Sequence, residues 1–173
     1  MGIVSSAFGH YEIVGNPDDA DVIIGNSFGT GTAPGDVNGL LAAYTLNCAN
    51  GRPIVADRTL VDAFPHRDSN VSHVVEGDIS TASGQGLGSW AILVEAQSYM
   101  AANELKRPLM IAQAYHIGRV AMQFKKLGMQ PIVPSGLPRN FDTESKQPWT
   151  RSLAMWVPRE IIGSIVLRAQ HKL

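Results

Sequence analysis

Cysteine is nearly missing from this 173-residue chain: Cys48 is the only one, which excludes an internal disulfide and a thiolate metal cluster. Its place in an apolar helical stretch reads as a packing residue rather than a reactive thiol. Charge is also scarce, at 17% of residues, and 14 basic against 15 acidic side chains leave a net charge of -1. The basic residues form no long cluster, so no phosphate-tracking surface and no nucleic-acid partner are expected. No run approaches the roughly 18 apolar residues of a membrane span. The N-terminus lacks the basic flank and apolar core of a signal peptide, so the expected setting is cytoplasmic, with no membrane partner. Metal-ligand spacing is missing as well: His10, His66, His73 and His116 are scattered and no H-E-x-x-H occurs. A dedicated metal site is therefore not expected.

What the chain does have is 45% apolar residues with Gly 17 and Pro 10, the composition of a loop-punctuated globule. Nothing resembles a linker, and residues 1–173 read as a single domain with a full core. Asp21-Val22-Ile23-Ile24-Gly25 reads as a short buried strand followed by the glycine-rich turn 26–31. A helix capped by Asp36 follows, with Val37, Leu40, Leu41, Tyr44 and Cys48 on one stripe and Asn50-Gly51 ending it. Further strands are expected at 53–57, 71–75 and 109–113, with Pro108 opening the last, and a short edge strand at 130–134. Helices are expected over 90–105 and 115–127, and a covering helix from Pro158 to Gln170 carrying Ile161, Ile162, Ile165 and Val166. Strands alternating with helices predict a three-layer, open, mostly parallel α/β sheet, Rossmann-like, with helices on both faces.

Chemistry-bearing residues gather at the expected carboxyl ends of the strands, where open α/β folds bind ligands. Leu109-Met110-Ile111-Ala112-Gln113 runs directly into Ala114-Tyr115-His116-Ile117-Gly118-Arg119. In a helix His116 and Arg119 share a face and reach toward an anionic or electron-rich group. The alternative for Arg119 is an internal carboxylate partner, Asp78 or Glu76. The turn holding Gly25, Asn26, Ser27, Gly29 and Gly31 can bring backbone N–H groups to a phosphate, carboxylate or ribose, or simply serve a tight strand exit. It has neither the dinucleotide G-x-G-x-x-G spacing nor a P-loop G-K-[ST], and Ser27 is not in a nucleophile elbow. Asp57, Glu76 and Asp78 follow strands and suit a base, a ribose contact or a hard cation, or the caps and turns that such residues also make. Trp149, after Pro148, is the tryptophan placed best for a lid; Trp90 and Trp156 read as packing groups.

The run Ala114-Tyr115-His116-Ile117-Gly118-Arg119, followed by Phe124 and Gly128, resembles the strand-to-helix signature of the YdcF/SanA/ElyC family, a bacterial domain of unknown function. Pro148-Trp149 and Pro158-Arg159-Glu160-Ile161-Ile162-Gly163 resemble its C-terminal part, and the likeness spans 21–173. It implies an open α/β fold and a polar cleft built from Tyr115, His116 and Arg119 with the first glycine turn. Glu76 resembles the family's acidic residue after a central strand, and Glu95 its helix-opening glutamate. The resemblance further implies a nucleotide-like ligand, with S-adenosylmethionine as one candidate cofactor, and a tie to bacterial envelope processes.

Three functions follow as expectations. The first is an α/β protein binding an anionic, nucleotide-like small molecule through the 25–31 turn, Asp57, Asp78, Glu76, His116 and Arg119. The second is a metal-assisted or acid–base hydrolase with His116 and Glu76 at the reaction centre. The third is a structural or interaction protein without a metabolite. Apolar helical faces also permit a homo-oligomer.

Overall fold

Four short strands make the sheet: Val22–Gly25 (β1), Ile54–Asp57 (β2), Val71–Val75 (β3) and Pro108–Ile111 (β4). The structure, a computed structural model, describes residues 7–33, 36–65, 71–76, 88–171 and 173. β1, β2 and β4 are buried at every position, as strands covered on both faces must be. All pairs are parallel, in the order β3-β2-β1-β4, with Ile24 level with Val55 on one side and Met110 on the other. The chain walks outward from β1 to β3, then crosses back past β1 to β4. Between β1 and β4 the strand order reverses, which makes that crevice the switch point of the sheet.

The helices are Val37–Ala49 (α1), Arg58–Asp62 (α2), Ser89–Ala102 (α3), Ile117–Lys126 (α4) and Leu153–Ala169 (α5). Right-handed crossovers put α1 and α2 on one face of the sheet and α3 and α4 on the other. Packing agrees, since α1 contacts α2 and α3 contacts α4. The three-layer α/β architecture expected from the sequence is the one observed. Among the described residues no helix is long and apolar enough to cross a membrane.

Local chemistry accounts for most of the boundaries. Asn50 (φ 47) and Gly51 (φ 77) turn the chain left-handed after α1, as Asn50-Gly51 predicts. The short helix α2, not foreseen, is seeded by Asp57, whose Oδ1 accepts the Leu60 N–H at 3.2 Å. α3 stops at Ala102, short of the expected 105. The expected strand at 130–134 shrinks to single bridges, Ile132 beside Leu109 and Val133 opposite Val14, because Pro131 and Pro134 supply no N–H to a longer ladder.

The covering helix differs more. It begins at Leu153 rather than Pro158, capped by Ser152, whose Oγ accepts the Met155 N–H. Pro158 lies inside it. The first turn is anchored by Trp156, buried and donating its indole N–H to the Tyr115 carbonyl at 3.2 Å, so tertiary contact carries the helix back past the proline that would locally start it. Starting earlier rotates the meaning of the stripe. Trp156, Glu160 and Ser164, four apart, form the inward face, while Ile162, Ile165 and Val166 are 60%, 60% and 47% exposed.

Gly25 shows how closely α2 seats on the sheet. A Cβ there would lie 2.6 Å from Leu60 Cδ2 and 3.4 Å from Ala56 Cβ, with Leu60 fully buried. Gly25→Ala is expected to destabilise the protein by about 1–3 kcal/mol through overpacking. Denaturant melts of Gly25→Ala, Leu60→Val and the double variant check this: the double should lose less than the sum of the singles. Simple additivity would mean that the two side chains do not compete for space.

Candidate functional site

Asn26 is the first residue beyond β1 and donates its backbone N–H to the Ile111 carbonyl at 2.9 Å, so it sits at the seam of β1 and β4. Its side chain is 1% exposed, and neither Oδ1 nor Nδ2 has a hydrogen-bond partner among the described residues. Leaving such a group unpaired costs about 1–3 kcal/mol, and folded chains rarely keep one without use. The orphaned carboxamide is the first mark of a site.

Four backbone donors of the turn that follows are already engaged within the protein. Ser27 N–H goes to Asp57 Oδ2 at 2.7 Å, Phe28 N–H to Asn38 Oδ1 at 2.7 Å, and the Thr30 and Gly31 N–H groups to Asp142 Oδ2 at 3.0 and 2.8 Å. Gly29 (φ 78) is needed because a Cβ there would lie 2.7 Å from that same carboxylate oxygen, and at Gly31 the gap would be 3.1 Å. The glycines therefore admit a carboxylate of the protein's own chain. Thr30 Oγ1 and Ser145 Oγ, 3.3 Å apart, hold the two loops together beside it. Asp57 is likewise internal. Burial pushes its carboxyl up, the Ser27 and Leu60 N–H groups pull it back, and its oxygens tie the turn to α2.

His116 and Arg119 do share a face, and they bond to each other: Arg119 Nη2 lies 3.0 Å from His116 Nδ1. Arg119 also donates from Nε to both oxygens of Glu160, at 2.8 and 2.9 Å, and from Nη1 to Ser89 Oγ at 3.0 Å. Ser89 passes its own proton to Gln123 Oε1 at 2.6 Å. Glu160, 2% exposed, has its carboxyl raised by burial and drawn down again by Arg119. Trp156 meets the His116 ring edge to face, 5.4 Å between centroids and 89° between planes, and Phe28 lies 6.4 Å away. Burial, then Arg119, then Arg159 hold the imidazole well below its ordinary 6.5, so it is neutral at physiological pH.

The carboxylate partner of Arg119 is thus Glu160, neither of the two expected. Glu76 lies at the exposed outer edge, bound by Arg58 through Nε at 3.1 Å and through Nη2. It is not brought to His116, because β3 is two strands away from the switch point. Glu95 accepts a hydrogen bond from His73 Nε2 at 2.8 Å on the α3 side. Asp78 and His66 lie outside the described residues. Trp149 is half-buried beneath the Arg159 guanidinium, 5.4 Å from its ring centre, and Trp156 is the tryptophan that covers His116. Among the described residues no group of three or more His, Cys, Asp or Glu could hold a metal ion.

Glu160 had a signal in the sequence: it is the one acidic residue of the apolar segment that forms α5. Asn38, Ser89, Gln123 and Asp142 had none, being ordinary polar residues made important only by where the chain brings them. No protein-family model matches this chain, and comparison with curated proteins and with solved structures likewise gives no match.

The neutral, buried His116 makes stability depend on pH. The unfolded chain takes up protons on this side chain below about 6.5 while the folded chain does not, so its contribution is intact above 6.5 and is lost as pH falls toward the depressed folded value. Asp57 and Glu160, both raised by burial, act with the opposite sign and favour the fold as pH falls. The difference in Tm between wild type and His116→Gln isolates the histidine. Wild type should lose ground to the variant as pH drops from 6.5 by about one to two units. Parallel pH curves would mean that the ring titrates as it does in water.

Proposed function

We propose that the protein binds an anionic, nucleotide-like small molecule in the cleft where the carboxyl ends of β1 and β4 diverge. The observation that carries this reading is the Asn26 carboxamide, buried at the switch point with its donor and its acceptor both unused. A leucine would fill the same volume without that cost. A donor and an acceptor side by side match the edge of an adenine ring, the pairing through which asparagine reads that base. S-adenosylmethionine, which the likeness to the YdcF/SanA/ElyC family suggests, offers the same adenine edge and a carboxylate, on a molecule whose net charge is positive.

The anionic part of the ligand finds support in α3. Its first turn has no acidic residue and its cap no side-chain hydrogen bond, so its N-terminus favours negative charge. Ser89 links that helix start to Arg119 and thereby to His116. An acid–base or metal-assisted hydrolase has less support, because Nδ1 of His116 is engaged by a guanidinium. The interaction-protein reading has one observation in its favour, the exposed Met155, Ile162, Ile165 and Val166 on α5.

Thermal unfolding across adenine nucleotides, S-adenosylmethionine, sugar phosphates and divalent metals tests the proposal, since a ligand of the native state raises Tm. Adenine compounds should give a saturable rise that base-free phosphates do not. Asn26→Leu should abolish that rise while making the unliganded protein more stable by about 1 kcal/mol, the reverse of what loss of a packing residue does. No rise with any adenine compound at millimolar concentration would give the interaction reading precedence.

A further inference from the structure

We infer that His116 is a fixed hydrogen-bond donor, its proton held on Nε2 by the Arg119–Glu160 pair, and that the ligand atom it meets is an unprotonated oxygen of a phosphate or carboxylate. For the ligand this rests on the reading above; for the state of the ring it does not. A guanidinium has N–H donors only and stays charged wherever a protein is folded. With Arg119 Nη2 3.0 Å from His116 Nδ1, that nitrogen can only accept. The single proton of the neutral ring is therefore on Nε2.

Neither partner is free to change this. Arg119 is gripped through Nε by both Glu160 oxygens and through Nη1 by Ser89, and Glu160 is itself buried on the inward face of α5. Trp156 and Phe28 flank the imidazole and restrict its rotation. Nε2 makes no hydrogen bond to any described residue. Taking up a second proton would put a donor on Nδ1 against the guanidinium, so the ring is closed as a base and open as a donor. The charged groups around it are Arg119 and Arg159, with Glu160 behind Arg119, and an unused donor among cations is best met by an anionic oxygen. Arg119 and Glu160 are accordingly positioning residues that act through His116.

Long-range 1H–15N NMR of the unliganded full chain at neutral pH reads the ring directly. Wild type should show one form, with Nε2 protonated and Nδ1 bare. Arg119→Leu/Glu160→Leu removes both charges together and so strands neither in the core. In that variant the two nitrogens should move toward the averaged positions of a free imidazole. A wild-type ring protonated on Nδ1, or on both nitrogens, overturns the inference.

Calorimetry with adenosine monophosphate tests the ligand half. His116→Gln, which offers an amide N–H near the place of Nε2, should keep affinity within about threefold, and His116→Leu should lose about tenfold or more. Equal loss in both variants overturns the donor role. If adenosine monophosphate fails to bind wild type, the proposed function and the ligand half fall together, and the ring spectrum still decides the donor half on its own.

Discussion

The guanidinium of Arg119 divides its donors among three helices: α5 through Glu160, α3 through Ser89, and its own α4 through His116. Loops of very different length bring those helices together over the carboxyl end of the sheet, and this one side chain fixes how they meet. A buried ion pair adds little net stability compared with a well-packed apolar pair, although removing one member alone costs about 3–5 kcal/mol. Stability therefore gives no reason for a cation at this point. Direction does: a planar fork with both ends occupied leaves the histidine beside it a single arrangement of proton and ring.

The orphaned Asn26 amide and the His116 ring follow the two strands that flank the switch point, β1 and β4 respectively. Phe28, two residues past Asn26, already packs near His116 and against Trp156, 4.8 Å between ring centres. His116 is thus flanked by aromatic rings. Polar groups in such surroundings interact more strongly than they do in water, which is also why an unused one there is expensive.

The fold was largely legible because buried parallel strands announce themselves as apolar runs, as β1, β2 and β4 do, while the edge strand β3, Val71-Ser72-His73-Val74-Val75, was marked by its valines. The helix over 115–127 was legible for the same kind of reason, through the spacing of Val120 and Phe124. The C-terminal helix starts earlier than its local pattern indicates, since Pro158 reads as a first helical residue and the buried Trp156, two positions before it, draws the preceding turn into the helix. At the site, His116 and Arg119 were visible from their position after β4. Their connection through Glu160 was not, because nothing local in a sequence pairs residues 41 apart. The glycine turn was visible as a turn and misleading as a cradle. Its N–H groups do meet an anion, but the anion is Asp142, which no pattern marks.

That internal anion has a consequence for biosynthesis. Thr30 and Asp142 are 112 positions apart, so β1 and its turn leave the ribosome long before the carboxylate that satisfies them exists. At roughly 5–20 residues per second the wait is several seconds or more. During it the Thr30–Gly31 end of the turn, unpaired next to an apolar strand, is a place for a chaperone to hold or for a neighbouring nascent chain to pair. Only when the last third of the chain arrives, bringing Asp142 for the turn and then Glu160 for Arg119, can the carboxyl end of the sheet close in its native form.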